Sequence, residues 1–457
     1  MGDKRQKNQL ELAFACGGRG EAPNDKRKGT ESSLARYESE RLAESERLME
    51  EVCEPKNLKQ ALRRVKSNGG SPGIDGMRVE ELGQWLIGNW NAMREALLRG
   101  RYEPKPVKRV EITKPDGGVR RLGVPTVIDR FVQQAVLQVL QRSWEPTFSK
   151  SSYGFRPEHS AHEAVERAQR YIEQGHRWVI DIDLEKFFDT VHQDRLMARV
   201  ATRVRDKRML RLIRRFLQSG VLEGGLVSPT EEGTPQGGPL SPLLSNIVLD
   251  ELDRELEKRG HKFVRYADDC NVYVKSERAG QRVMKSLRQL IASRLRLKIN
   301  EDKSAVAKPY QRKFLGFSFT SHKKPKRRIA PQAIRRFKAR IRGLTRRMRG
   351  RKLSEVIREL NSYLNGWRGY FGFCETPSVL KELDGWIRRR LRCYLWKQWK
   401  TIARRRSELL RLGVPSTWAR GLASSSKGTW PISDVLSKFL RPEYFDSLHL
   451  TKLSRAA

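Results

Sequence analysis

With 457 residues, 38% of them hydrophobic and 8% aromatic, the chain has enough apolar content to build a folded core, which excludes a wholly disordered polypeptide. Its 93 Lys and Arg against 53 Asp and Glu leave a net charge of +40, a field that attracts polyanions, of which nucleic acid is the commonest. No apolar run approaches the ~20 residues that a membrane-spanning helix needs.

In chain order, residues 1–50 carry ten basic and ten acidic side chains, so the positive excess lies entirely downstream. Residues 1 to about 35 read as a flexible lead and 36–51 as a charged helix. The apolar spacing from Leu58 to Leu98 is helical and is interrupted by the turn-forming SPGIDG at 71–76. From Val107 to Pro125, two basic-apolar runs flank an Asp-Gly-Gly and predict a β-hairpin. Asp129 to Ser143 reads as a helix. WVIDIDL (178–184) and FVRYADDCNVYV (263–274) read as strands buried by flanking helices. Helix and strand thus alternate to about residue 320, giving an α+β or α/β core.

Beyond that point the composition changes. Residues 323–352 hold fifteen Lys or Arg and no acid, and helical, Trp-rich sequence follows. A domain boundary is expected near 320–330. The expected layout is a lead (1–50), a helical extension (51–105), a core (106–325), a basic helical domain (326–400) and a short tail (401–457). The five cysteines are scattered without a CxxC pair, which argues against a zinc site and favours a reducing cytosol.

The chemistry is read from carboxylates. Asp183 closes one apolar strand, and Asp268-Asp269 lie between the apolar halves FVRY and CNVYV, where a hairpin tip would aim both at one place. Nucleotidyl transfer uses two divalent ions roughly 3.5–4 Å apart. Magnesium accepts a few carboxylates and keeps some waters, so aspartates on adjacent strands suffice. A lone Asp-Asp is more often a solvated turn. Here, however, YADD (266–269) comes with DIDLEKFFD (181–189) and TPQGGPLSPLLSN (234–246).

With those blocks go SPGIDG (71–76), KPDGGVRRLGVPTVIDR (114–130), SYGFRPEHSAHEA (152–164), LKINEDKS (297–304) and KFLGF (313–317). The ordered series, from about Asn57 to the C-terminus, resembles the group II intron-encoded reverse transcriptases and maturases. The resemblance implies an α+β right-hand polymerase with fingers and palm, an α-helical thumb or maturase domain at 326–400, and a DNA-binding tail. It also implies RNA-directed DNA polymerase activity with assistance to intron splicing.

Residue by residue, it implies Asp183, Asp268 and Asp269 as ligands of two Mg²⁺, with Mn²⁺ as a substitute and the Leu184 backbone carbonyl as a further ligand; Asp181 is a weaker candidate. Phe188 stands where the family has an aromatic steric gate against a 2′-hydroxyl, whereas Phe187 reads as core. Lys114 and Arg120, with Arg121 as a rival, match the residues that clasp the incoming triphosphate. Gln236, Gly237 and Gly238 match the loop whose backbone approaches the nascent base pair, and Lys303 matches a lysine near the phosphates. His159 and His162 read as structural or RNA-facing. In the basic third, Arg335, Arg336, Arg346, Arg347 and Trp367 are the candidate nucleic-acid contacts.

Implied partners are intron RNA, an RNA template with a DNA primer, target DNA and dNTPs, with no membrane, in the bacterial cytosol or nucleoid. The tail has one histidine, His449, and no cysteine, which does not match the family's HNH-type endonuclease. Three alternatives stay open: a viral-type RNA-dependent RNA polymerase, disfavoured by Phe188; a splicing-only maturase; and a domesticated or defence-associated reverse transcriptase.

Overall fold

The computed structural model describes residues 46–113, 118–223, 226–229, 232–234, 236–346 and 350–454. Most of the expected lead (1–45), Lys114 and Arg347 lie outside the described residues. The chain divides into two compact units. The first comprises the chain up to Ala164 together with Trp178–Val306; the second comprises Val165–Arg177 and Ala307–Ala457.

The first unit opens with helices α1 (Leu48–Val52), α2 (Pro55–Asn68) and α3 (Leu82–Leu98). Strands β1 (Val107–Thr113) and β2 (Val119–Val124) form the expected antiparallel hairpin, with Lys108 opposite Val124 and Thr113 opposite Val119. Thr126 caps α4 (Val127–Trp144) by accepting from the Asp129 N–H. Helix α5 (Ala161–Glu173) begins in this unit. There follow β3 (Trp178–Ile182), the short α6 (Phe187–Thr190), α7 (Gln193–Ala201) and α8 (Lys207–Gln218). Helix α8 shows how the sequence sets its packing: Met209, Leu212, Ile213, Phe216 and Leu217 recur at helical spacing and are buried, while its arginines fill the other positions.

Strands β4 (Val221–Glu223) and β5 (Leu226–Ser228) complete one four-stranded sheet in the order β2-β1-β4-β5. Next come α9 (Ser241–Lys258), β6 (Lys262–Tyr266), β7 (Asp269–Val274), α10 (Glu277–Leu290) and β8 (Ala305–Ala307). A second four-stranded sheet has the order β6-β7-β3-β8. Its central pair is antiparallel, with Asp181 opposite Asn271 and Ile182 opposite Cys270. Ile180, Ile182, Phe263 and Val272 pack from the sheet into one core with Phe131, Ile247, Leu249 and Leu287 of the helices.

The second unit contains the hairpin β9 (Phe317–Phe319) and β10 (Arg327–Ile329). Seven helices follow: α11 (Pro331–Leu344), α12 (Leu353–Phe371), α13 (Ser378–Gln398), α14 (Ile402–Arg411), α15 (Ser416–Ala423), α16 (Thr429–Val435) and α17 (Pro442–Ser447). They share a core of their own around Phe337, Leu360, Trp367, Leu391 and Trp396. The buried Asp384 of α13 ties down the last described residues by accepting from the N–H groups of Leu453 and Ser454. Among the described residues no helix is long and apolar enough to cross a membrane.

Candidate active site

The two central strands deliver carboxylates to one end of the second sheet. Strand β3 stops at Ile182, one residue before Asp183. The Asp183 backbone is then clasped by the LKINEDKS block: its N–H donates to Ser304 Oγ at 3.0 Å, and its carbonyl accepts from Asn300 N–H at 2.8 Å. Leu184 bridges to Ile299, and its side chain is buried. Lys303 reaches Asp183 with 3.7 Å between Nζ and Oδ2. Sequence reasoning singled out Lys303 but missed Ser304, its neighbour, which fixes the position of Asp183.

On the adjoining hairpin, Tyr266 pairs with Asp269, so Ala267 and Asp268 form the turn. Ala267 has φ 58°, while Asp268 keeps an ordinary negative φ. Positive φ at the first of two turn residues alone is the II′ pattern, where glycine is usual. A side chain here is therefore held against a backbone preference.

Burial raises the pKa of the Asp268 carboxyl above the usual carboxylate range; the negative charge of Asp183 adds to the rise, while Arg120 and Arg265 oppose it. Asp183, Asp268 and Arg120 therefore share one electrostatic neighbourhood. Asp269 lies on β7 beside them, and its charge, with that of Asp181, raises the pKa of the buried Tyr273 phenol, for which burial is the larger cause. Asp181 is itself nearly buried within the sheet.

The Arg120 and Arg121 alternatives separate by strand alternation, since consecutive residues of β2 face opposite sides. Arg121 is paired with Glu111 at 3.3 Å, and Arg120 is the one whose charge acts on Asp268. Phe187 is buried in the core, and Phe188 is half-buried with its ring edge-on to Phe187 at 5.2 Å. One ring of the pair thus belongs to the core, and the other is left at the surface of the turn.

Residues 232–234 are sewn to that turn: Thr234 N–H donates to the Phe188 carbonyl at 2.7 Å and Gly233 N–H to the Val191 carbonyl at 2.8 Å. The Gln236 carbonyl accepts from Gly123 N–H of β2 at 2.7 Å. Gly237 has φ 131°, and a Cβ there would lie 2.6 Å from the Gly123 carbonyl oxygen; a Cβ on Gly238 would collide with Gln133. The close approach that these glycines permit is to the protein's own backbone and to Gln133.

Other candidates are dispersed. His159 pairs with Glu163 at 3.3 Å and meets Tyr153 edge-on, and no group of three or more His, Cys, Asp or Glu among the described residues forms a ready-made metal cage. Arg335, Arg336 and Arg346 are exposed and have no carboxylate partner among the described residues. Trp367 requires a correction. It was expected at a nucleic-acid surface, yet its ring is buried, 4.4 Å from Phe337 and 4.7 Å from Phe371 between centroids. Its apolar area is taken up by the core of the second unit.

Comparison with known proteins gives two family matches: reverse transcriptase (RNA-dependent DNA polymerase) over residues 112–319, and the group II intron maturase-specific domain over residues 334–413. Protein YkfC of Escherichia coli (strain K12) is 34% identical over 318 residues, covering 61% of this chain and 82% of that protein. The group II intron-encoded protein LtrA of Lactococcus lactis subsp. cremoris is 35% identical over 226 residues, 48% of this chain and 36% of LtrA. The putative COX1/OXI3 intron 1 protein of Saccharomyces cerevisiae is 30% identical over 260 residues, 54% of this chain and 29% of that protein. The chain therefore spans about a third of the length of the two intron proteins.

Proposed function

This chain belongs to the group II intron-encoded reverse transcriptases and maturases, and on that footing we propose that it copies intron RNA into DNA at a two-magnesium site held by Asp183, Asp268 and Asp269. The observation that carries this is the strand register: Ile182 lies opposite Cys270 and Tyr266 opposite Asp269, so Asp183, Asp268 and Asp269 gather at one end of the sheet, with Arg120 as the nearby cation. The donor set suits magnesium, which is held by one or two carboxylates, with waters and substrate phosphates completing the shell. A ready-made cage of protein ligands is not required for such an ion. When bound, the ions supply a lowered pKa at the primer 3′-hydroxyl and charge neutralisation on the triphosphate.

The chain's own residues then orient and select. Asp183 and Asp268 bring negative oxygens to one point, and their mutual repulsion favours a cation between them. Arg120, and Lys114 beyond β1, clasp the incoming dNTP phosphates, Arg by paired hydrogen bonds and Lys as a point charge. Phe188 presents a flat ring to the sugar and excludes a 2′-hydroxyl. The exposed arginines of the second unit hold intron RNA and the template–primer duplex through phosphates and shape. Target DNA is a further partner, and the work is done in the cytosol or nucleoid.

The test is extension of a DNA primer on an RNA template by the purified chain with Mg²⁺. DNA product that requires both the RNA template and dNTPs is expected. Absence of product across Mg²⁺ and Mn²⁺ titrations, from protein that still binds RNA, would leave only the maturase activity.

A further inference from the structure

Arg265 is an oddity within the β6 strand: a fully buried guanidinium in line with the buried Phe263 and Val264. Burying a charge is costly unless it is paired and its donors are used. Here every edge of the fork is occupied. Nε and Nη2 donate to both carboxylate oxygens of Asp253, also fully buried, with a shortest distance of 2.6 Å. Nη1 donates to Asn246 Oδ1 and to the Ala267 carbonyl, both at 2.9 Å. Asn246 in turn donates to the Gly154 carbonyl at 2.9 Å.

The network closes around the turn that carries Asp268. Tyr153 N–H donates to the Arg265 carbonyl and Arg265 N–H to the Ser151 carbonyl, each at 2.9 Å, so residues 151–153 run alongside β6. A Cβ on Gly154 would run into the Tyr266–Ala267 peptide, 2.8 Å from the Tyr266 carbonyl carbon. Ala267, the strained residue, is thus gripped at its carbonyl by Arg265 and backed by Gly154. Asn246 and Asp253 are both buried on α9, seven positions and about two turns apart, on one face. The SYG and LLSN portions of two sequence blocks, which no substrate role absorbs, therefore meet at one carbonyl.

We propose that Arg265, locked by Asp253 and Asn246, is a positioning residue that fixes the Ala267–Asp268 turn and thereby sets the geometry in which Asp268 and Asp269 meet their metal ions. It rests on the assignment of those carboxylates to metal given above. A buried salt bridge need not stabilise a fold, and apolar replacements of the pair are often tolerated. What an apolar pair cannot do is hold a carbonyl. The fork therefore has a role in geometry that is separable from packing.

The test uses the full chain with Arg265→Met and Asp253→Leu combined, which leaves no unpaired buried charge. The measurements are circular dichroism, Mn²⁺ binding by electron paramagnetic resonance, and the Mg²⁺ half-saturation of primer extension. Loss of support around metal ligands weakens metal affinity or activity about ten- to a hundred-fold. A shift of that size in both the Mn²⁺ affinity and the Mg²⁺ half-saturation is expected, with parental secondary structure. A folded double variant with parental values for both would overturn the proposal. Should that variant not fold, Gly154→Ala decides, since it leaves the ion pair intact and presses on the same turn: the same shifts support the proposal, and unchanged values overturn it. A parent chain that neither binds Mn²⁺ nor extends a primer would instead overturn the assignment of the carboxylates, and the proposal with it.

Discussion

Phe188 shows how the proposed role of one side chain depends on its neighbour. Phe187 is buried in the core, and the short α6 turn leaves Phe188 half-buried, its carbonyl pinned by Thr234. A ring fixed in this way suits the exclusion of a hydroxyl by shape alone. Discrimination by a shaped pocket against one added hydroxyl is worth up to about a hundred-fold. Phe188→Ala should therefore admit ribonucleotides up to about a hundred-fold more readily, read from competition between dNTP and rNTP during primer extension. Undiminished rejection of ribonucleotides would remove Phe188 from that role. The offset from Asp183 is what singles this residue out in the sequence. Trp367 was misread because a tryptophan amid basic residues looks the same whether it faces solvent or the core. Arg265 was overlooked because an arginine inside a strand ordinarily faces water, and only the partners on α9 and in the 151–154 segment reveal otherwise.

Among the elements, the strands and hairpins were legible because apolar runs on either side of Asp-Gly-Gly and Asp-Asp leave few alternatives, although the second turn falls on Ala267 and Asp268, one residue earlier than Asp-Asp implies. The setting of Gly237 and Gly238 was not, since they answer to Gly123 and Gln133, which are distant in sequence. Long-range anchors of this kind also fix helices. Asp206 caps α8 by accepting from the N–H groups of Arg208 and Met209, accepts from Met49 N–H of α1 at 3.0 Å, and pairs with Arg208, all while buried. Loss of a cap together with a charged, buried hydrogen bond costs about 2–4 kcal/mol. Asp206→Ala should lower stability by about that amount in urea unfolding, with RNA affinity per folded molecule unchanged. A loss within about 0.5 kcal/mol would show that the α1 anchor carries little.

For the whole molecule, the proposed division of work between synthesis and RNA binding follows the two units. Each has its own core, the candidate carboxylates lie in the first, and the acid-free basic run lies in the second. Binding folded RNA needs phosphate neutralisation over a surface, whereas copying it needs metal chemistry in addition. On this division, synthesis depends on the carboxylate pair while RNA binding does not. Its most direct test is Asp268→Asn in primer extension on RNA, with a salt titration of intron-RNA binding on the same preparation. Arg335, Arg336 and Arg346 jointly replaced by Ala serve as the reciprocal control, for which the slope of log affinity against log salt should flatten by up to about three. Removing a metal carboxylate should slow Asp268→Asn extension by roughly a thousand-fold or more while its salt slope stays parental. Extension by Asp268→Asn at a near-parental rate would remove Asp268 from the chemistry, and loss of its RNA binding together with synthesis would show that the two activities are not separable.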